Sequence, residues 1–67
     1  MSELIITPGC IVLIEDFDDI PAHLFLVDEV LGDYITGKAL TGPLTGEYGE
    51  PALTLIIAII IETNTII

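Results

Sequence analysis

The sequence predicts an all-β fold, a small barrel of four to five short antiparallel strands, on three observations. Short apolar runs rich in β-branched residues recur along the chain, as in Cys10-Ile11-Val12-Leu13-Ile14. Turn residues punctuate them at regular spacing: Pro8-Gly9, Gly32-Asp33 and the Gly/Pro-rich stretch from Gly42 to Pro51. No stretch carries a long 3.6-residue apolar pattern with helix caps. Sixty-seven residues make one domain, read as a barrel core over about 8–61 and a tail over 62–67.

The elements follow in order. Pro8-Gly9 turns the chain into a first strand, which Glu15-Asp16 closes. Phe17 to Ala22 (FDDIPA) is a polar loop with two apolar anchors, Phe17 and Ile20. The second strand reads His23-Leu-Phe-Leu-Val-Asp-Glu-Val-Leu31. Gly32-Asp33 then sits between two strand-like runs, a two-residue hairpin signal with glycine first. Tyr34 to Thr41 carries the chain back, and an uninterrupted hairpin sets Val30 against Ile35, Leu26 against Ala39 and Leu24 against Thr41. After the Gly/Pro-rich connection, Ala52 to Ile61 has the strongest strand signal, because isoleucine is stiff at χ1 and favours the extended state. So unbroken an apolar run implies burial on both faces, or one face packed on another subunit. Periodicity alone leaves a helix open for a run this short.

Pro8-Gly9-x-x-Val12, a loop, His23 to Val30 and the Gly32-Asp33 turn together resemble the opening of a small SH3-like barrel. The resemblance covers residues 8 to 60 and is architectural, and short proteins of that kind are common in cyanobacteria. They include subunits that dock on photosynthetic electron-transfer complexes. This chain departs from those subunits in lacking their basic residues. The resemblance implies a fold and a style of use, that of a protein–protein adaptor. It also implies a shallow groove between the loop after the first strand, Asp16 to Ala22, and the loop before the last, Gly42 to Pro51.

A chain of this size buries only about 60% of the surface its unfolded form exposes. Cys10 is the only cysteine, so no disulfide within the chain adds stability, and no His/Cys cluster suggests structural zinc. An apolar content of 52%, or association with other chains, must supply the stability. The β-branched surface of Leu53 to Ile61, with Ile66-Ile67 beyond, exceeds what one short barrel strand needs. Such a low-charge window must be covered, which points to a homo-oligomer or a subunit of a larger complex.

The formal net charge is −10, and Lys38 is the only basic side chain. Direct nucleic-acid binding needs Lys and Arg against phosphates and is excluded; anionic membrane surfaces are disfavoured for the same reason. The apolar run at 52–61 is half the ~20 residues of a membrane helix. Met-Ser-Glu-Leu-Ile-Ile has no positive n-region and no small-residue cleavage site, so the chain reads as soluble and cytoplasmic. Seven of the eleven acids fall between residues 15 and 33. They keep an apolar chain in solution, and they also suit a protein partner with a basic patch.

Catalysis has little to work with. A Cys10–His23 pair is the sole conventional nucleophilic option, and Cys10 lies among Ile11, Val12 and Leu13, where a thiol is an inert core residue. His23 is expected partly exposed beside the acidic loop, as a loop anchor or a pH-sensitive contact. Asp16, Asp18 and Asp19 place hard oxygen ligands in one loop, but Phe17, Ile20 and Pro21 interrupt any calcium-loop pattern, and no cofactor or metal is assigned. Thr-Gly occurs three times between Thr36 and Pro51. No Gly-Lys-Ser/Thr is present and a strand follows, so the run is not a phosphate loop. Gly37 instead marks a bulge or close approach in a strand, and the later glycines set turns. The reading is a non-enzymatic interaction module or accessory subunit. Its partner-binding residues are Asp16, Phe17, Asp18, Asp19, Tyr34, Glu47, Tyr48 and Glu50. The alternatives are an acidic nucleic-acid mimic occupying a DNA-binding protein, and a weak cation or small-ligand binder.

Overall fold

A computed structural model describes residues 6–61. The tail assigned to 62–67, with Ile66-Ile67, lies outside the described residues. Five strands form one open antiparallel sheet: β1 (Ile11–Ile14), β2 (His23–Leu31), β3 (Tyr34–Ala39), β4 (Tyr48–Gly49) and β5 (Ile56–Ile61). Their spatial order is β4-β3-β2-β1-β5. The first four make a meander, and β5 returns across it to pair with β1. No α-helix occurs among the described residues.

Alternation along the strands builds the core. In β1, Val12 and Ile14 are buried; in β2, His23, Phe25 and Val27 are. That period of two is what puts one side of a pleated strand inside. Ile35, Ala39 and Ile56 complete the interior from β3 and β5, and Cys10 joins them as a free, buried thiol.

The Gly32-Asp33 hairpin forms as expected, with Leu31 opposite Tyr34 and Val30 opposite Ile35. Beyond it the register differs from an uninterrupted hairpin. Asp28 is an extra residue on β2 between Val27 and Glu29, so Ala39 pairs with Phe25 and Leu26 with Lys38. Leu24 meets Thr41 only through its backbone N–H, which donates to Oγ1 at 3.0 Å. A one-residue bulge changes which side chains share a face. Here it brings Phe25 and Val27 inward and leaves Leu26 outside. Gly37 makes the crossing possible. A Cβ there would collide with the Leu26 carbonyl oxygen and lie 2.8 Å from the Phe25 ring.

Two elements differ from the sequence reading. The run from Ala52 to Ile61 is not all strand: Leu53–Leu55 is a single 3₁₀ turn, and β5 starts at Ile56. Pro51 holds an extended entry, Leu53 N–H donates to Asp33 O at 2.9 Å, and Leu55 N–H to Ala52 O at 3.0 Å. The turn thereby seats Leu53 and Leu55 against the core. β3 ends at Ala39 rather than Thr41, and β4 arises inside the Gly/Pro-rich connection. The chain entering the 3₁₀ turn also runs beside the start of β3, where Ile35 N–H donates to Pro51 O at 3.0 Å and Tyr34 bridges Ala52.

β5 is an edge strand and does not have both faces buried within this chain. Only Ile56 is buried, whereas Ile57, Ile60 and Ile61 remain 51, 49 and 51% exposed. Register shifts against β1 leave Ile57 and Ile60 as extra residues between paired positions.

Candidate functional site

The loop between β1 and β2 is tighter than its polar composition suggests. Phe17 and Ile20 exchange both backbone hydrogen bonds, at 3.0 and 2.7 Å, closing a two-residue turn over Asp18-Asp19. Asp18 takes a positive φ of 49°, which Asp tolerates better than most residues. Both apolar anchors are half-buried, and the three aspartates, Asp16, Asp18 and Asp19, are exposed.

The connection from β3 to β4 is a chain of turns. Thr45 N–H donates to Gly42 O at 3.2 Å and Glu47 N–H to Leu44 O at 2.9 Å. The Thr45 hydroxyl donates to Gly42 O at 2.6 Å. Gly46 N–H and Ala39 N–H tie the loop back to β3, donating to Ala39 O and Glu47 O respectively. The repeated Thr-Gly units therefore fold the loop on itself, and Leu44 is packed against the core.

Between these two loops lies a groove of about 340 Å³. Ile14, Phe25, Ala39 and Leu55 line it with apolar surface; Phe17 and His23 come from one side, and Leu44 and residues 47–52 from the other. Its polar side chains are His23, Glu47, Tyr48 and Glu50. Tyr48 O–H donates to Glu50 Oε2 at 2.7 Å. That bond to a carboxylate is the main reason the phenol is held above its ordinary value, since ionising it would place two anions side by side.

His23 is buried, at 5% exposure, rather than partly exposed. The reason is alternation: His23, Phe25 and Val27 share the inner side of β2. Its Nδ1 lies 2.9 Å from Pro21 O, and its ring sits 6.3 Å from that of Phe17, tilted by 50°. His23 thus anchors the loop that precedes it.

Of the residues assigned to partner binding, Phe17, Glu47, Tyr48 and Glu50 line this groove. Asp16, Asp18 and Asp19 are exposed on the flanking loop, and Tyr34 lies at the β2–β3 hairpin. The buried part, His23 and Phe25, escaped the sequence reading although the i, i+2 spacing in His23-x-Phe25-x-Val27 carried the signal. Among the described residues, no three His, Cys, Asp or Glu side chains gather in a group that could hold a metal ion. No helix among them is long and apolar enough to cross a membrane. Comparison with family models, curated proteins and solved structures finds no match to this chain.

Proposed function

We propose that this chain is a non-enzymatic protein–protein interaction module or accessory subunit, built as an SH3-like barrel, that receives a partner segment between its two long loops. The fold reading rests on strand order, a meander with its last strand returned to β1, and on the single 3₁₀ turn before that strand. The bond from Ile35 N–H to Pro51 O carries the β3–β4 ladder on to the 3₁₀ turn that leads into β5.

One observation carries the functional reading: an apolar groove with Glu47 and Glu50 among its lining, on a chain of net charge −10. Apolar surface supplies the affinity and carboxylates select a basic partner, with attraction that salt weakens. Tyr48, 62% exposed at the mouth, offers the kind of aromatic anchor that dominates interface energetics.

A photo-crosslinker placed at Tyr48, with Ile57 on β5 as the comparison position, tests this. A discrete crosslink to a basic protein from position 48, lost at high salt, is the expected outcome. Crosslinks from position 57 alone would move the partner site off the groove.

A second reading concerns β5. Its three exposed isoleucines favour cover by a second copy or by another subunit of a complex. Light scattering across a concentration series tests it, and a monomer at every concentration would remove self-association.

A further inference from the structure

We propose that the groove is an arginine receptor, in which His23 Nε2 and the carboxylates of Glu47 and Glu50 accept hydrogen bonds from the guanidinium of an extended partner segment. This rests on the reading of the groove as a partner site and names what that site selects.

A carbonyl oxygen only accepts, so the 2.9 Å contact with Pro21 O puts the hydrogen of neutral His23 on Nδ1. Nε2 then carries the lone pair. Among the described residues no group bonds Nε2. Yet among the described residues no side-chain nitrogen or oxygen sealed from solvent lacks a partner. Nε2 therefore keeps an opening to solvent, and that opening is the groove the ring lines. An imidazole 95% buried whose free acceptor opens onto a groove presents that acceptor in a fixed place to whatever enters.

The remaining polar side chains point to the same ligand. Glu47 and Glu50 accept only, and the Tyr48 hydroxyl is committed to Glu50. The side chains of the groove thus offer acceptors and no free donor. Phosphates, carboxylates and other anions are mismatched; a donor-only cation fits. Arginine fits better than lysine. Its planar guanidinium is weakly hydrated, stacks on aromatic rings such as Phe17, and spreads five N–H groups over several acceptors. Its stem lies well against apolar walls such as Leu44 and Leu55. At about 340 Å³ the groove is at the small end of ligand sites, room for one long side chain and a neighbour. A second copy cannot be the donor of this group, because the chain's only basic side chain is Lys38 and it contains no arginine.

Nitrogen-15 NMR of the full chain, titrated with N-acetyl-arginine methylamide, decides it. Shifts should centre on the amides of Phe17, His23 and Gly49 and on His23 Nε2. The citrulline analogue, equal in shape but uncharged, should bind about tenfold more weakly. The lysine analogue should bind about threefold more weakly. Glu47→Gln with Glu50→Gln alters only exposed side chains and should reduce binding about tenfold. His23→Phe keeps a ring and removes the Nε2 acceptor, and should weaken arginine about threefold; if it does not fold, the double glutamine variant and the citrulline comparison decide. Absence of shifts at the groove or equal binding of citrulline overturns the inference. If that occurs while position 48 still crosslinks to a basic partner, the arginine receptor fails and the interaction module stands.

Discussion

At one edge of the sheet β4 is two residues long, Tyr48-Gly49, with Glu47 before it and Glu50-Pro51 after it. At the other edge β5 runs six residues, every one isoleucine or alanine, with half-exposed isoleucines at 57, 60 and 61. Both edges face the same hazard, a row of unpaired backbone groups that can recruit another strand. The β4 edge meets it with brevity, charge and proline. The β5 edge has no charge or proline within it and relies on the two irregularities against β1, which break the flat ladder another strand would need. The same contrast separates the two candidate surfaces. The groove beside β4 sets carboxylates and an imidazole around apolar walls, whereas β5 offers hydrophobic area without direction.

The largest effect expected is on the β4 side. Gly37→Val drives a side chain into the Leu26 backbone and the Phe25 ring, and backbone cannot yield as a side-chain tip can. A loss of about 3 kcal/mol or more is expected, enough to unfold a marginal domain, and circular dichroism in a urea series would measure it. An unchanged midpoint would mean that β3 and β2 are not in this close approach.

Next comes a comparison inside β5. Ile56→Ala, at a buried position, should cost about 2–4 kcal/mol, while Ile60→Ala, half exposed, should cost under about 1 kcal/mol. Equal losses would show that something covers Ile60 in solution. Smaller for the monomer, but sharper for the comparison, is a pair of lysine substitutions. Ile57→Lys should change monomer stability by no more than about 0.5 kcal/mol and reduce self-association by light scattering; Tyr48→Lys should leave association alone. The reverse result would exchange the roles of the two edges.

The smallest effect is electrostatic. Tyr48 is held above its ordinary value, chiefly by its bond to Glu50. For a group whose folded value is raised, the linked stability is present below the unfolded value and is lost as pH rises through the folded one. That places the effect above about pH 10, far from neutrality. An ultraviolet titration should show Tyr48 ionising later than a free tyrosine, with Glu50→Gln bringing it back.

Much of the fold was legible because its signals are local. Gly32-Asp33 between two strand-like runs specified a hairpin, and Leu31 and Tyr34 are its closing pair. The burial of Cys10 followed from its apolar neighbours. Gly37 was readable as a close approach, but not as the partner of a bulge, because the extra residue is Asp28 on the facing strand. The 3₁₀ turn at Leu53–Leu55 was hidden for a related reason. Its bonds include one to Asp33, twenty residues earlier, and no local propensity reports such a contact. The site was legible in part. Glu47, Tyr48 and Glu50 stood out as exposed chemistry in a glycine-rich loop. His23 did not, because its neighbours in sequence are a polar loop and its neighbours in space are Phe17 and the groove.

By itself the sequence determined the all-β class, the hairpin, the strongly negative net charge and the apolar excess near the C-terminus. Each depends on residue type and short spacing, which the chain carries whatever its path. Only the tertiary structure decided the register beyond Asp28, the burial of His23 and which apolar strand stands at an edge. Those depend on where distant segments meet, and a single bulge or turn is enough to exchange inside for outside.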